Sequence, residues 1–155
     1  MPKVTALGRP AEDAAHASVS AKPSPKPSAE SAPFWAAANR GELMIQRCVT
    51  TGRFFFYPRT YSPFVTGGAT EWVTVSGRAT LYSYIIDFRP PPAFGPGPNV
   101  IAVVELAEGP RMMTNLVGVE PDPEQLPLDM ALMVEFDQRG DQAVPVFRPV
   151  QGEAQ

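Results

Sequence analysis

The sequence predicts a mainly β protein that opens with a short helix and closes with a five-stranded barrel of the OB type. Two observations carry this. Nineteen prolines in 155 residues exclude long helices. From residue 71 onward, runs rich in Val, Ile, Tyr, Phe and Thr alternate with Gly- and Pro-marked breaks. Runs of this length, with one long interruption and one short helical turn, suit a small, partly open barrel of five strands.

Residues 1–32 read as a flexible tail. They contain many Pro, Ala and Ser residues and no aromatic ring, so they bury too little apolar surface to offset their own ordering entropy. The expectation is that they can be removed without loss of the fold. From Ser31 to Gly41, a cap candidate, a proline in the first turn and a glycine stop bracket a helix containing Phe34 and Trp35. Residues 42–48 form a strand candidate. Gly52 marks a turn, and residues 54–57 (Phe-Phe-Phe-Tyr) read as a second strand, with Phe54 and Phe56 on one face and Phe55 and Tyr57 on the other.

Residues 72–76 and 79–88 follow. Alternation places Leu81 and Ile85 on one face of the longer run, and Tyr82, Tyr84 and Ile86 on the other. Residues 89–98 form a proline-rich loop. Runs at 100–106, 112–119, 131–136 and 143–147 complete the set, with Glu108-Gly109 as a hairpin signal and residues 122–125 as a helical turn.

The side-chain inventory excludes most chemistry. His16, Lys3, Lys22 and Lys26 are the only histidine and lysines, and all lie before residue 34. A Ser-His-Asp triad, a Cys-His dyad, a Schiff-base lysine and a histidine-ligated metal each lack an essential group in the folded part. Cys48, the single cysteine, has no histidine to activate it, excludes an intrachain disulfide and fits a reducing, cytoplasmic compartment. No run of about 18 apolar residues exists to cross a membrane, and the N-terminus carries no apolar signal-peptide core. Past the tail, nine arginines stand against thirteen carboxylates. That acidic body argues against nucleic-acid binding, although Trp72, Tyr82 and Tyr84 could stack bases.

Several motifs, in order, carry a resemblance. They are Phe34-Trp35 with Gly41-Glu-Leu; Gln46-Arg-Cys48 with Gly52; Tyr57-Pro-Arg59; the stretch from Trp72 to Tyr84; Val103-Val-Glu-Leu106; Thr114-Asn-Leu116; and Pro145-Val-Phe-Arg-Pro149. From Phe34 onward the chain resembles the bacterial and archaeal family of acyl-CoA-associated proteins that join a rubredoxin-like zinc ribbon to an OB-fold. The resemblance implies a helix plus ribbon at 33–70, an OB-fold at 71–150 and a tail at 151–155. It also implies a thiolase-fold partner in a hetero-oligomer acting on acyl-CoA substrates, by carbon–carbon bond formation, retro-aldol cleavage of steroid side-chain esters or acyl transfer. The family holds zinc in two Cys-x-x-Cys knuckles. The matching positions here are Cys48, Thr51, Ser62 and Val65, one thiolate in place of four. No zinc and no other cofactor is expected, and the ribbon is degenerate.

Six of the fifteen aromatic residues, Phe54, Phe55, Phe56, Tyr57, Tyr61 and Phe64, fall within eleven positions. They are the expected substitute for the metal. A ribbon covers only one face well, so the other face packs either on the protein's own helix and barrel or on a partner. The expected docking residues are Phe34, Trp35, Phe54, Phe55, Phe56 and Tyr57. Arg78, Arg89 and Arg111 are candidates for the phosphates of a CoA ester. Glu105 and Glu108 read as a solvated pair flanking the hairpin. The leading expectation is a non-catalytic accessory subunit that scaffolds a thiolase-fold enzyme. The alternatives are a stand-alone acyl-CoA or lipid-binding OB-fold module, and an OB-fold nucleic-acid binder.

Overall fold

The computed structural model describes residues 22–150; the expectations for 1–21 and for the 151–155 tail lie outside the described residues. The elements are helix α1 (Ala32–Asn39) and strands β1 (Met44–Cys48), β2 (Phe54–Phe55), β3 (Thr70–Thr74), β4 (Arg78–Asp87), β5 (Asn99–Leu106), β6 (Arg111–Leu116), β7 (Ala131–Arg139) and β8 (Gln142–Pro149). Single 3₁₀ turns occupy Pro92–Phe94 in the proline-rich loop and Pro123–Gln125 in the expected helical turn.

Pro33 sits in the first turn of α1, where a missing N–H costs nothing. Ser31 does not cap the helix through its side chain; its buried hydroxyl instead accepts from the Ser28 N–H at 2.9 Å. β1 is the centre of an antiparallel three-stranded sheet ordered β2-β1-β3. The remaining strands close a barrel in the order β4-β5-β6-β8-β7, with β7 returning to β4. The expected barrel was partly open. Closure rests on a parallel contact between β6 and β8 at Leu116 and Phe147, continued by the Val117 N–H to the Phe147 carbonyl at 2.9 Å.

Three expectations change. First, residues 72–76 do not open the barrel: Thr70–Thr74 pairs with β1 over five residues, so the change of sheet falls near Gly77 rather than at 70. Gly77 has φ 73°, and a Cβ there would collide with the Val134 side chain, so only glycine lets the chain pass so close to β7. Second, β2 ends at Phe55 rather than at Tyr57. Third, Leu81 is buried and Ile85 exposed. The ladder pairs Leu81 with Val104 but Ser83 with Val103, so Tyr82 is an extra residue. Such a bulge reverses the inward–outward parity of everything after it.

One apolar core runs through both units. Phe34 from the helix, Leu43 just before the first strand and Ile45 within it join Leu81, Val104, Leu106, Leu132 and Phe147 from the barrel. Side chains therefore fill the barrel interior, as expected for a barrel this small. Polar contacts fix the helix over β8: Gln142 Nε2 donates to the Trp35 carbonyl at 3.0 Å, and Asn39 Oδ1 accepts from the Ala143 N–H at 2.7 Å.

Part of the expected tail is attached to this body. Lys22 Nζ lies 2.9 Å from Asp137 Oδ2 on β7, and Arg139 meets the same oxygen at 3.1 Å. Burial acts to raise the Asp137 pKa, but the hydrogen bonds from Lys22 and Arg139 outweigh it and leave the carboxyl below its usual range. Removing residues 1–21 is expected to leave the melting temperature within about 2 °C. Removing 1–31, which takes Lys22 and the buried Ser31, is expected to lower it by more than about 4 °C. Equal melting of the two truncations, read by circular dichroism, would show that residues 22–31 carry no stability.

Candidate functional site

The positions that align with zinc ligands sit on two tight turns. In the first, the Gly52 N–H bonds the Cys48 carbonyl at 2.8 Å and the Cys48 N–H bonds the Arg53 carbonyl at 2.9 Å. In the second, the Ser62 N–H bonds the Gly68 carbonyl and the Gly68 N–H bonds the Val65 carbonyl, both at 2.9 Å. A Cβ on Gly68 would lie 2.9 Å from Val65 Cβ and 3.2 Å from Ser62 Cβ, so this knuckle wraps tightly around its glycine. The Val49 N–H to the Ala69 carbonyl, at 3.1 Å, ties the two turns together.

Cys48 is fully buried. The Ser62 hydroxyl, then the Thr51 hydroxyl, lowers its thiol to about 7, against burial, which acts to raise it. Three of the four positions thus face one another, but they offer one thiol and two hydroxyls. Among the described residues no cluster of three or more His, Cys, Asp or Glu could hold a metal. This donor set does not fit tetrahedral zinc.

The aromatic segment divides differently from a simple alternation, because the strand stops at Phe55. Phe55 is 6% exposed and meets Phe64 edge-on, with ring centroids 6.1 Å apart. Phe56 turns toward the helix, 5.5 Å from Phe34 and 5.2 Å from Tyr57. Phe54 lies under the Arg47 guanidinium at 5.6 Å. Of the expected docking residues, Phe34 and Phe55 are buried within the chain itself. Trp35, Phe54 and Phe56 are half buried, and Tyr57 is exposed.

Phe34, Trp35, Phe56 and Tyr57 border an open groove of about 250 Å³ whose far wall is Met112, Met113, Val144 and Pro145. Met113 also borders a second, smaller groove with Ile85, Ile101 and Val103 on the outer face of β4, β5 and β6. Neither groove has a charged lining residue. Met113 is 71% exposed and Ile85 61% exposed. These two residues were not among the sequence candidates. A signal for Met113 was present: on β6 it lies on the outward side with Arg111 and Asn115, where a methionine has no core to fill. Ile85 could not be found without knowing the bulge.

The arginines do not form one site. Arg78 and Arg111 lie at the same end of the barrel, where β4 begins and the β5–β6 hairpin turns, whereas Arg89 follows the other end of the ten-residue strand β4. Arg111 stacks on Tyr82 at 3.5 Å and pairs with Glu105 at 2.8 Å. Glu105 is therefore ion-paired. Glu108 Oε1 accepts from the Ser76 N–H at 2.9 Å, and its other oxygen is buried, so Glu108 fastens the β3–β4 connection instead of being solvated. Between this hairpin and the ribbon is an open cleft of about 640 Å³, lined by Arg53, Phe54, Phe64, Glu105 and Arg111 among others.

Trp72 is on the ribbon sheet and Tyr82 on the barrel under Arg111, so the aromatic residues considered for base stacking form no single platform. Among the described residues, no helix is long and apolar enough to cross a membrane.

Comparison with known proteins agrees with this architecture. Residues 35–62 match the family described as the rubredoxin-like zinc ribbon domain of ChsH2, and residues 72–137 match its C-terminal OB-fold domain. A DUF35 domain-containing scaffold protein of Methanothermobacter thermautotrophicus is 30% identical over 75% of this chain and 79% of its own length. A probable enoyl-CoA hydratase alpha subunit of Thermomonospora curvata is 38% identical over 83% of this chain, which spans only 40% of that relative's length. Among solved structures, a chain of the Ltp2-ChsH2(DUF35) aldolase superposes with a TM-score of 0.72 at 32% identity, covering 81% of this chain and 98% of that one.

Proposed function

We propose, from the premise that this chain belongs to the DUF35 family of joined ribbon and OB-fold domains, that it is a non-catalytic accessory subunit of a thiolase-fold enzyme acting on acyl-CoA esters. The observation that carries this is the near-complete coverage of a chain of the Ltp2-ChsH2(DUF35) aldolase, 98% of its length at 32% identity. The residue inventory supports it. From residue 34 onward there is no histidine or lysine, and the lone cysteine is fully buried. The carbon–carbon chemistry then belongs to the partner, and retro-aldol cleavage of a side-chain acyl-CoA ester is the reaction the aldolase likeness favours.

In this reading the uncharged strip of Trp35, Phe56, Tyr57, Met113 and Ile85 docks on the partner. The cleft between ribbon and hairpin, with Arg53 and Arg111 at its edge, helps shape the acyl-CoA entrance. The subunit needs no cofactor of its own, zinc included. A filled barrel interior weighs against a stand-alone acyl-CoA or lipid carrier, because the barrel holds no room for an acyl chain.

The test is co-expression with a thiolase-fold subunit of an acyl-CoA aldolase. A stable hetero-oligomer on gel filtration is expected, with acyl-CoA cleavage seen only when both chains are present. Turnover by this chain alone, or full activity of the partner without it, would overturn the proposal.

A further inference from the structure

We infer that the ribbon is locked by a metal-free device, centred on Gln46 and the Phe55–Phe64 ring pair, that takes over the task zinc performs in the related ribbons. The inference rests on the reading that no zinc is bound, and it names what replaces the metal. A zinc ribbon without metal faces a specific physical problem. Its two knuckles are joined by a long irregular loop, and in small zinc domains the metal supplies much of the folding free energy. Here residues 56–69 form that loop, and no regular secondary structure spans them.

Gln46 solves the loop's part of the problem. It is 4% exposed at the centre of β1, with Phe55 on one side and Trp72 on the other. Its carboxamide grips the backbone of Arg59 from both directions: Oε1 accepts the Arg59 N–H at 2.6 Å, and Nε2 donates to the Arg59 carbonyl at 2.9 Å. The same Nε2 reaches Thr70 Oγ1 at 3.1 Å, where the loop re-enters the sheet. One buried side chain therefore clamps the early part of the loop, at Arg59, and its end, at Thr70, to the central strand. A glutamine is well suited to this, since it alone among common side chains, with asparagine, mimics a peptide group as donor and acceptor together.

The rings solve the knuckles' part. Phe55 from beside the first knuckle meets Phe64 from within the second, and the Arg53 guanidinium closes over the outer face of Phe64 at 3.8 Å. Phe64 is itself oriented from below, its N–H bonding the Ser62 hydroxyl at 3.1 Å. The ring pair thus bridges the two turns that a metal would bridge, and Ser62, at a ligand position, has become a turn-former.

The experiment measures metal content and melting together. The purified chain is expected to hold less than about 0.1 zinc per molecule. Its melting temperature should shift by less than about 1 °C with EDTA or with added zinc. Gln46→Leu should melt lower by more than about 5 °C, because it strands both backbone groups of Arg59, and Gln46→Glu, which sets a buried carboxylate against the Arg59 carbonyl, should melt at least as low. A triple variant, Thr51→Cys with Ser62→Cys and Val65→Cys, tests the geometry: it is expected to take up one zinc per chain and to melt higher when loaded. One zinc per molecule in the unaltered chain would overturn both this inference and the cofactor-free reading. A zinc-free chain in which Gln46→Leu melts unchanged would overturn the lock while leaving that reading intact. Failure of the soluble triple variant to bind zinc would overturn the claim that the knuckles keep a metal ribbon's geometry.

Discussion

Phe55→Ser is expected to destabilise the isolated chain by about 3–5 kcal/mol, the cost of a large-to-small aromatic truncation with a hydroxyl left in an apolar site. Phe55 is buried, it faces Phe64, and it sits opposite Gln46 on the central strand. Losing its ring opens a void at the point where both knuckles and the loop clamp converge, and surrounding elements have little freedom to collapse into it. Phe56→Ser, one residue on, is expected to cost only about 1–2 kcal/mol, because its ring is half buried and borders an open groove. Urea denaturation of the two variants checks this directly. With typical domain stabilities of about 5–15 kcal/mol, Phe55→Ser should move the midpoint far more than Phe56→Ser does. Equal losses would mean that the groove beside Phe56 is closed in solution and that both rings belong to the core.

Met113→Glu is expected to leave the isolated chain folded and to abolish assembly with the proposed thiolase-fold subunit. Met113 is largely exposed on the outer face of the barrel, so a charged side chain there stays in water, and its effect on melting should be within about 0.5 kcal/mol. In a complex the same carboxylate would be driven toward two grooves with no charged lining residue, and Arg139, which shares a third groove with Met113, is already paired with Asp137. Burying an unpaired charge costs several kcal/mol, enough to weaken binding by about 100-fold or more. The readouts are the melting temperature of the chain alone and the dissociation constant by calorimetry. Ile85→Glu, at the far end of the strip, should act in the same direction. A folded Met113→Glu variant that assembles normally would remove this face from the interface and direct attention to the ribbon cleft.

Much of the fold was legible in the sequence because its signals are local. Pro33 and Gly41 bracket the helix, Glu108-Gly109 turns a hairpin, and the β-branched runs match β4 to β8 closely. The single thiol among Cys48, Thr51, Ser62 and Val65 was visible as well, since counting thiols needs no coordinates. Local signals fail where pairing decides. Residues 72–76 carry the pattern of any half-buried strand, and nothing in them says whether the neighbour is β1 or β4. The two extra residues expected in β2 failed likewise: the stretch is rich enough in aromatics to extend, but Phe56 packs on Phe34 and leaves the ladder.

The sequence by itself determined the fold class and the inventory of reactive side chains past residue 34, because composition and side-chain inventory do not depend on how the chain folds. Only the tertiary structure decided which aromatic rings are core and which are surface, and that Gln46 holds the ribbon loop. It alone showed that Tyr82 is a bulge residue whose insertion turns Ile85 outward beside Met113. Each of these depends on contacts between residues distant in sequence. Period-two alternation holds only while the ladder is unbroken, and a single extra residue, unmarked by any glycine or proline, reverses the face of every side chain that follows it.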